Sequence, residues 1–141
     1  MQSERADGRG MASSVRFEGV PLFAGLSRRE LDVVAGLADE VDAEEGRVLI
    51  RQGALGREVF VIEAGTAEVT CDGEVLRTLG RGDFFGEIAL IENVHRTATV
   101  TATSPMRLLV LTAPAFRALR HTMPRLHETV RREIRLRARG R

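Results

Sequence analysis

Two side chains of opposite charge, Glu87 and Arg96, lie nine residues apart in a stretch of sequence that is mostly small or apolar. The planar fork of an arginine matches two phosphate oxygens, whereas an ionised carboxylate only accepts hydrogen bonds and so needs a hydroxyl or a cation. The pair therefore predicts a site for a sugar phosphate. A plain salt bridge between the two side chains is the alternative that the sequence leaves open.

The residues from Gly86 to Leu90 interrupt a β pattern and favour one helical turn. Such a turn presents main-chain N–H groups that suit an anion. A glycine at its start lets the backbone approach a ligand closely. These residues are expected to complete the site around Arg96.

Short strands must position this segment. Runs such as Val59–Ile62 and the alternation in Thr97–Thr103 indicate strands, and Asp72-Gly73 is a strong hairpin signal. About eight short strands separated by glycine turns predict an all-β sandwich or barrel. The fold class is thus mainly β with flanking helices.

Helical patterns flank the strands on both sides. Ser27 and Glu30 form a capping box before a predicted helix from Arg28 to Ala38. Two short C-terminal helices are predicted at about Ala115–His121 and Pro124–Ala138, where Pro114 and Pro124 suit first turns. The predicted organisation is a disordered leader (1–14), a β-barrel with an N-terminal helix (15–112), and C-terminal helices with a basic tail (113–141).

Composition indicates one globular domain. The chain has 141 residues, of which 43% are hydrophobic and 29% charged. Cys71 is the single cysteine, no run is apolar enough to span a bilayer, and no secretory signal is visible, so a cytoplasmic location is expected. Residues 117–141 hold nine arginines and two glutamates, a charge of +7, so the rest carries −6 of the total of +1.

Nothing in the sequence indicates catalysis or a metal. The three histidines are His95, His121 and His127, and two of them fall in the predicted C-terminal helices. A cupin-type metalloenzyme needs several histidines and a carboxylate converging on one ion, so it is disfavoured. The chain also lacks a nucleophile–base pair, a P-loop and a dinucleotide fingerprint, and the sequence predicts a non-enzyme without metal or cofactor.

The segment around Glu87 resembles the phosphate-binding cassette of the cyclic nucleotide-binding domain family. Its pattern, roughly F-G-E-[IL]-A-L and then R-[TAS]-A-[TS]-V, stands here as Phe85–Leu90 and Arg96–Val100. The family includes catabolite activator proteins, regulatory subunits of cAMP-dependent kinase and cyclic nucleotide-gated channels. The resemblance covers about Val20 to Arg137, and it implies an eight-stranded jelly-roll β-barrel.

The resemblance also implies roles toward a ligand, either cAMP or cGMP. Glu87 would accept from the ribose 2′-hydroxyl, Arg96 would bind the cyclic phosphate, and Thr97 could add its hydroxyl. A threonine directly after the arginine is common in members that prefer cGMP. Many members have proline before the arginine, where this chain has His95. Main-chain N–H groups would complete the cradle at Gly86, Ile88, Ala89 and Ala98.

These features predict a stand-alone cyclic nucleotide-binding regulatory module that signals by moving its C-terminal helices. Those helices are the expected contact for a protein partner or for a homodimer. No sequence-specific DNA binding is expected, because the chain stops at Arg141. The alternative is a degenerate module of the same fold that acts as a protein-interaction scaffold without binding nucleotide.

Overall fold

The computed structural model describes residues 9–11, 20, 23–55, 58–86 and 96–139. Within these ranges the chain forms two antiparallel sheets and three helices, as the predicted fold class requires. A five-stranded sheet has the order β1-β2-β9-β4-β7, and a four-stranded sheet has the order β3-β8-β5-β6. The strands are β1 (Arg9–Met11), β2 (Asp39–Ala43), β3 (Val48–Ile50), β4 (Glu58–Ala64), β5 (Ala67–Cys71), β6 (Glu74–Leu79), β7 (Phe84–Phe85), β8 (Thr99–Ala102) and β9 (Met106–Thr112).

Strands β2 to β9 supply the eight strands of the predicted jelly roll, and β1 adds a ninth within the described ranges. β1 pairs antiparallel with β2, with Arg9 opposite Val41 and Met11 opposite Asp39. Residues 9–11, which the sequence assigns to a disordered leader, form this strand in the structure. The physical reason is that β2 would otherwise present an unpaired main-chain edge, which a neighbouring segment can satisfy. The other residues of the predicted leader lie outside the described part of the chain.

The five-stranded sheet is apolar on both faces. In β4, Val59 and Val61 face the helices whereas Phe60 and Ile62 face the other sheet, because successive side chains of a strand alternate. β9 divides in the same way. The result is two apolar clusters: a barrel cluster between the sheets and a helix-side cluster on the outer face of the five-stranded sheet.

Three helices cover that outer face. α1 (Arg28–Leu37) begins at the predicted capping box, in which Ser27 Oγ accepts from the Glu30 N–H at 3.1 Å and Glu30 Oε1 accepts from the Ser27 N–H at 2.8 Å. α2 (Ala113–Thr122) and α3 (Pro124–Arg139) are the predicted C-terminal helices, each slightly longer than expected. Their buried side chains join the helix-side cluster, which includes Phe116, Leu119, Met123, Leu126 and Val130.

The predicted hairpin joins β5 and β6. Cys71 pairs with Glu74 across a two-residue turn, and Asp72 and Gly73 have φ of 52° and 84°. Two consecutive residues of positive φ are the signature of the type I′ turn, which Asp-Gly favours. No helix in the described ranges is long and apolar enough to cross a membrane.

Gly65 lies where the turn after β4 meets the start of β9. Its φ is 96°, and a Cβ there would collide with the carbonyl oxygen of Pro105 and would lie 2.9 Å from the Cα of Met106. Both obstacles are main chain and cannot rotate away. Gly46 is a matched position, with φ of 91° and nothing within 4 Å of a built Cβ.

We therefore expect Gly65→Ala to lower the free energy of unfolding by about 3 kcal/mol, because left-handed strain and a main-chain clash add together. Gly46→Ala should cost only about 1 kcal/mol, because strain acts there without a clash. Urea denaturation of both variants beside the wild type measures the difference. Equal losses would show that the close approach at Gly65 contributes nothing to stability.

Candidate functional site

The side chain of Arg96 is buried, with 8% of its surface exposed. Its Nη1 donates to the carbonyl oxygen of Gly86 at 2.7 Å, and its Nη2 donates to the carbonyl oxygen of Glu58 at 2.9 Å. Glu58 begins β4, and Gly86 follows β7 directly. The guanidinium thus joins two neighbouring strands of the five-stranded sheet to the segment that leads into β8.

The main chain of Arg96 is fixed as firmly as its side chain. Its N–H donates to the carbonyl of Ala54, and its own carbonyl accepts from the N–H of Gly53, both at 2.8 Å. At the first residue of β8, Thr99 Oγ1 accepts from the N–H of Gln52 at 2.9 Å. These bonds tie the turn after β3 to the segment that leads into β8, and they fix the position of the Arg96 main chain.

Gly86 has to be a glycine in this arrangement. Its φ is 96°, and a Cβ would lie 2.7 Å from the carbonyl oxygen of Glu58 and 2.9 Å from Arg96 Nη1. A side chain would occupy the space in which the two hydrogen bonds of the guanidinium form. The sequence predicted that this glycine lets the backbone approach a ligand closely, and the groups that the structure places against it are the Glu58 carbonyl and the Arg96 guanidinium.

Gln52 connects the hairpin turn to the same region. Its Nε2 donates to Asp72 Oδ1 at 2.9 Å, and its Oε1 accepts from the Asp72 N–H at 3.0 Å. These two bonds satisfy polar groups of a residue in a left-handed conformation. Sequence reasoning missed Gln52 and the carbonyl of Glu58, because contacts across 20 and 38 residues leave no local pattern.

Four of the seven predicted site residues are described. Gly86 and Arg96 come together, Thr97 is exposed directly after the arginine, and Ala98 is half-buried against the barrel cluster. The other three, Glu87, Ile88 and Ala89, lie outside the described residues, as does His95.

The described ranges hold no group of three His, Cys, Asp or Glu side chains that would suit a metal ion. His121 and His127 belong to α2 and α3, away from the strands. At Arg96 the guanidinium is held by two main-chain carbonyls, and a guanidinium in a fixed orientation is suited to directed, charge-assisted hydrogen bonds with an anion.

Comparison with known proteins identifies the family to which these residues belong. A family model described as cyclic nucleotide-binding domain matches residues 40–122, which include Gly86 and Arg96. The cAMP-dependent protein kinase regulatory subunit of Schizosaccharomyces pombe is 38% identical over 103 residues, which make up 72% of this chain and 25% of that protein. The chain thus spans about a quarter of the length of this curated relative.

Solved structures share the fold. The structure of cAMP-bound PfPKA-R matches with a TM-score of 0.83 at 24% identity, covering 90% of this chain and 44% of that one. The catabolite activator protein of Thermus thermophilus matches with a TM-score of 0.75 at 27% identity, covering 84% of this chain and 58% of that one. Because the family model covers more than half of its length, the chain belongs to the cyclic nucleotide-binding domain family.

Proposed function

We propose that this chain is a regulatory module that binds cAMP or cGMP without catalysing a reaction. Arg96 binds the cyclic phosphate, Thr97 adds a hydroxyl, and Glu87 accepts from the ribose 2′-hydroxyl. Main-chain N–H groups complete the cradle at Gly86, Ile88, Ala89 and Ala98. The observation that carries the proposal is the buried guanidinium of Arg96, fixed by the carbonyls of Gly86 and Glu58.

A fixed, buried arginine is well suited to this role. Two carbonyls orient the plane of the guanidinium before any ligand arrives, so little conformational entropy is lost on binding. Burial lowers the local dielectric constant, and the attraction between a guanidinium and a phosphate is stronger there than in water. Family membership supports a cyclic nucleotide as the source of that phosphate.

The signal is proposed to leave through the C-terminal helices. Phe85 belongs to the barrel cluster, where its ring stacks on Phe60 with centroids 4.9 Å apart, whereas Phe84 belongs to the helix-side cluster with Leu126. Both phenylalanines immediately precede Gly86. A ligand that draws the residues after Gly86 inward would therefore pull on the cluster beneath α2 and α3, and a partner chain or a second copy would sense the change.

We expect wild-type protein to bind cAMP or cGMP in calorimetry, and Arg96→Ala to weaken binding at least a hundredfold, because charge-assisted hydrogen bonds contribute about 1.5–3 kcal/mol each. Arg96→Lys keeps the charge without the fork and should weaken binding about tenfold or more. Arg107→Gln is the matched control, since it removes an arginine from the exposed ion pair with Asp42 at 3.0 Å. Its affinity should equal that of the wild type.

If Arg96→Ala binds as tightly as the wild type, the mechanism is wrong. If the wild type binds neither nucleotide, the alternative function, a protein-interaction scaffold of the same fold, replaces this one. Titrating the two nucleotides side by side also establishes which of them is preferred.

Gly86→Ala tests the geometry of the site rather than its charge. The added Cβ displaces the guanidinium or the β4 carbonyl, so we expect affinity for the preferred nucleotide to fall about tenfold or more, since a shift of 1 Å misaligns both hydrogen bonds. Gly46→Ala introduces similar backbone strain in open space and should leave affinity unchanged. Unaltered affinity in Gly86→Ala would show that the close packing at Gly86 does not position the arginine for binding.

The coupling to the helices is tested by hydrogen exchange. Saturating nucleotide should change the exchange of main-chain amides between Leu119 and Val130 by about tenfold, because occupied and empty sites favour different packing of the helix-side cluster. Arg96→Ala at the same nucleotide concentration serves as the control and should show no change. Identical exchange in wild-type protein with and without nucleotide would contradict signalling through α2 and α3.

A further inference from the structure

A second concentration of positive charge lies at the elbow between α2 and α3. A cleft of about 440 Å³ opens there, lined by Arg117, Arg120, His121, Pro124 and His127. Four of the five lining side chains are arginine or histidine, and none is acidic. The cleft belongs to the C-terminal helices, whereas Gly86 and Arg96 lie at the strands.

Arg120 is held in a fixed position at the centre of this group. Its guanidinium lies over the ring of Phe116, 5.9 Å from the ring centroid, and its Nη2 donates to His127 Nδ1 at 3.2 Å. An arginine can only donate, so Nδ1 of His127 is the acceptor and the ring proton of a neutral imidazole sits on Nε2. His127 thereby has an N–H to offer to an acceptor.

The surroundings of Arg120 disfavour the charged form of its guanidinium. Its Nε is buried and has no hydrogen-bond partner within the described chain. Burial and the neighbouring charge of Arg131 both lower the pKa of Arg120. A partly buried cation among like charges is destabilising unless an anion joins it. The described residues supply no carboxylate that pairs with Arg120.

We propose that this cleft binds the phosphoryl group of a phosphomonoester. A phosphomonoester concentrates a charge of about −1.5 to −2 on three acceptor oxygens at neutral pH, which suits several donors that converge on one small volume. A nucleic acid carries a single charge per phosphate along an extended backbone and would spread over the exposed arginines of α3 instead. The proposal is independent of nucleotide binding at Arg96.

The direct test is calorimetry with phenyl phosphate at constant ionic strength. Arg120→Gln should weaken binding at least tenfold, because it removes the fixed guanidinium. Arg132→Gln removes an exposed arginine of α3 that does not line the cleft, and it should change affinity less than twofold. Absence of phenyl phosphate binding, or equal affinity in wild-type protein and Arg120→Gln, overturns the proposal.

Arg120→Gln also removes the packing of Arg120 on Phe116, so a second variant tests the cleft while Arg120 stays in place. Arg117→Gln/His121→Gln changes two exposed side chains and should weaken phenyl phosphate at least fivefold while the melting temperature stays within about 2 °C of the wild type. Unchanged affinity in this double variant overturns the proposal. Arg96→Ala must keep the phenyl phosphate binding that depends on Arg120, and loss of that binding assigns the signal to the nucleotide site and overturns the proposal as well.

The source of the phosphoryl group is found with two further ligands, inorganic phosphate and a neutral peptide carrying one phosphoserine. Tighter binding of the phosphopeptide supports a phosphorylated protein partner, and equal affinities support a small phosphorylated metabolite. An oligonucleotide without terminal phosphates is the competing ligand. The proposal fails if the oligonucleotide binds more tightly than inorganic phosphate and the phosphopeptide, and if Arg132→Gln weakens oligonucleotide binding as much as Arg120→Gln does. The cleft would then be part of a general nucleic-acid surface.

Discussion

The guanidinium of Arg96 is held between the carbonyls of Gly86 and Glu58, and this one contact constrains much of the surrounding structure. A buried charge is tolerated only where hydrogen bonds replace those of water. To provide them, the start of β4 must lie beside the end of β7, and residue 86 must lack a side chain. The turn at Gly53 and Ala54 must also grip the main chain of the arginine. The site is therefore a property of three strand ends rather than of one motif.

The five-stranded sheet that contacts Arg96 also supports the layer of helices on its outer face. Because β4, β7 and β9 send alternate side chains to opposite faces, the sheet that holds the arginine also forms the floor beneath the helices. Phe84 and Phe85 are adjacent in the chain yet belong to different clusters. The two clusters are therefore joined by the peptide bond between Phe84 and Phe85, which lies within two residues of Gly86.

Local signals in the sequence predicted the parts of this structure that depend on neighbours in the chain. The capping box of α1, the Asp72-Gly73 turn and the alternation that ends in Val100 and Ala102 were all found from spacing. The strand β2 was not, because Asp39–Ala43 is largely acidic and its burial depends on pairing with β9. Of the candidate site, the sequence predicted Gly86 and Arg96, which the structure brings into contact. It could not reveal that main-chain carbonyls, whose chemistry is the same in every residue, orient the guanidinium.

The place of β9 in its sheet has a consequence for the order of folding. β9 lies between β2 and β4, so Asp39 pairs with Val110 and the central strand of the sheet is made after both of its neighbours. During synthesis, which proceeds at about 5–20 residues per second, β2 and β4 wait several seconds on the ribosome without the strand that joins them. Closing so long a loop also makes folding slow compared with that of a helical bundle. The nascent chain therefore exposes the edges of β2 and β4 until residue 112 has emerged.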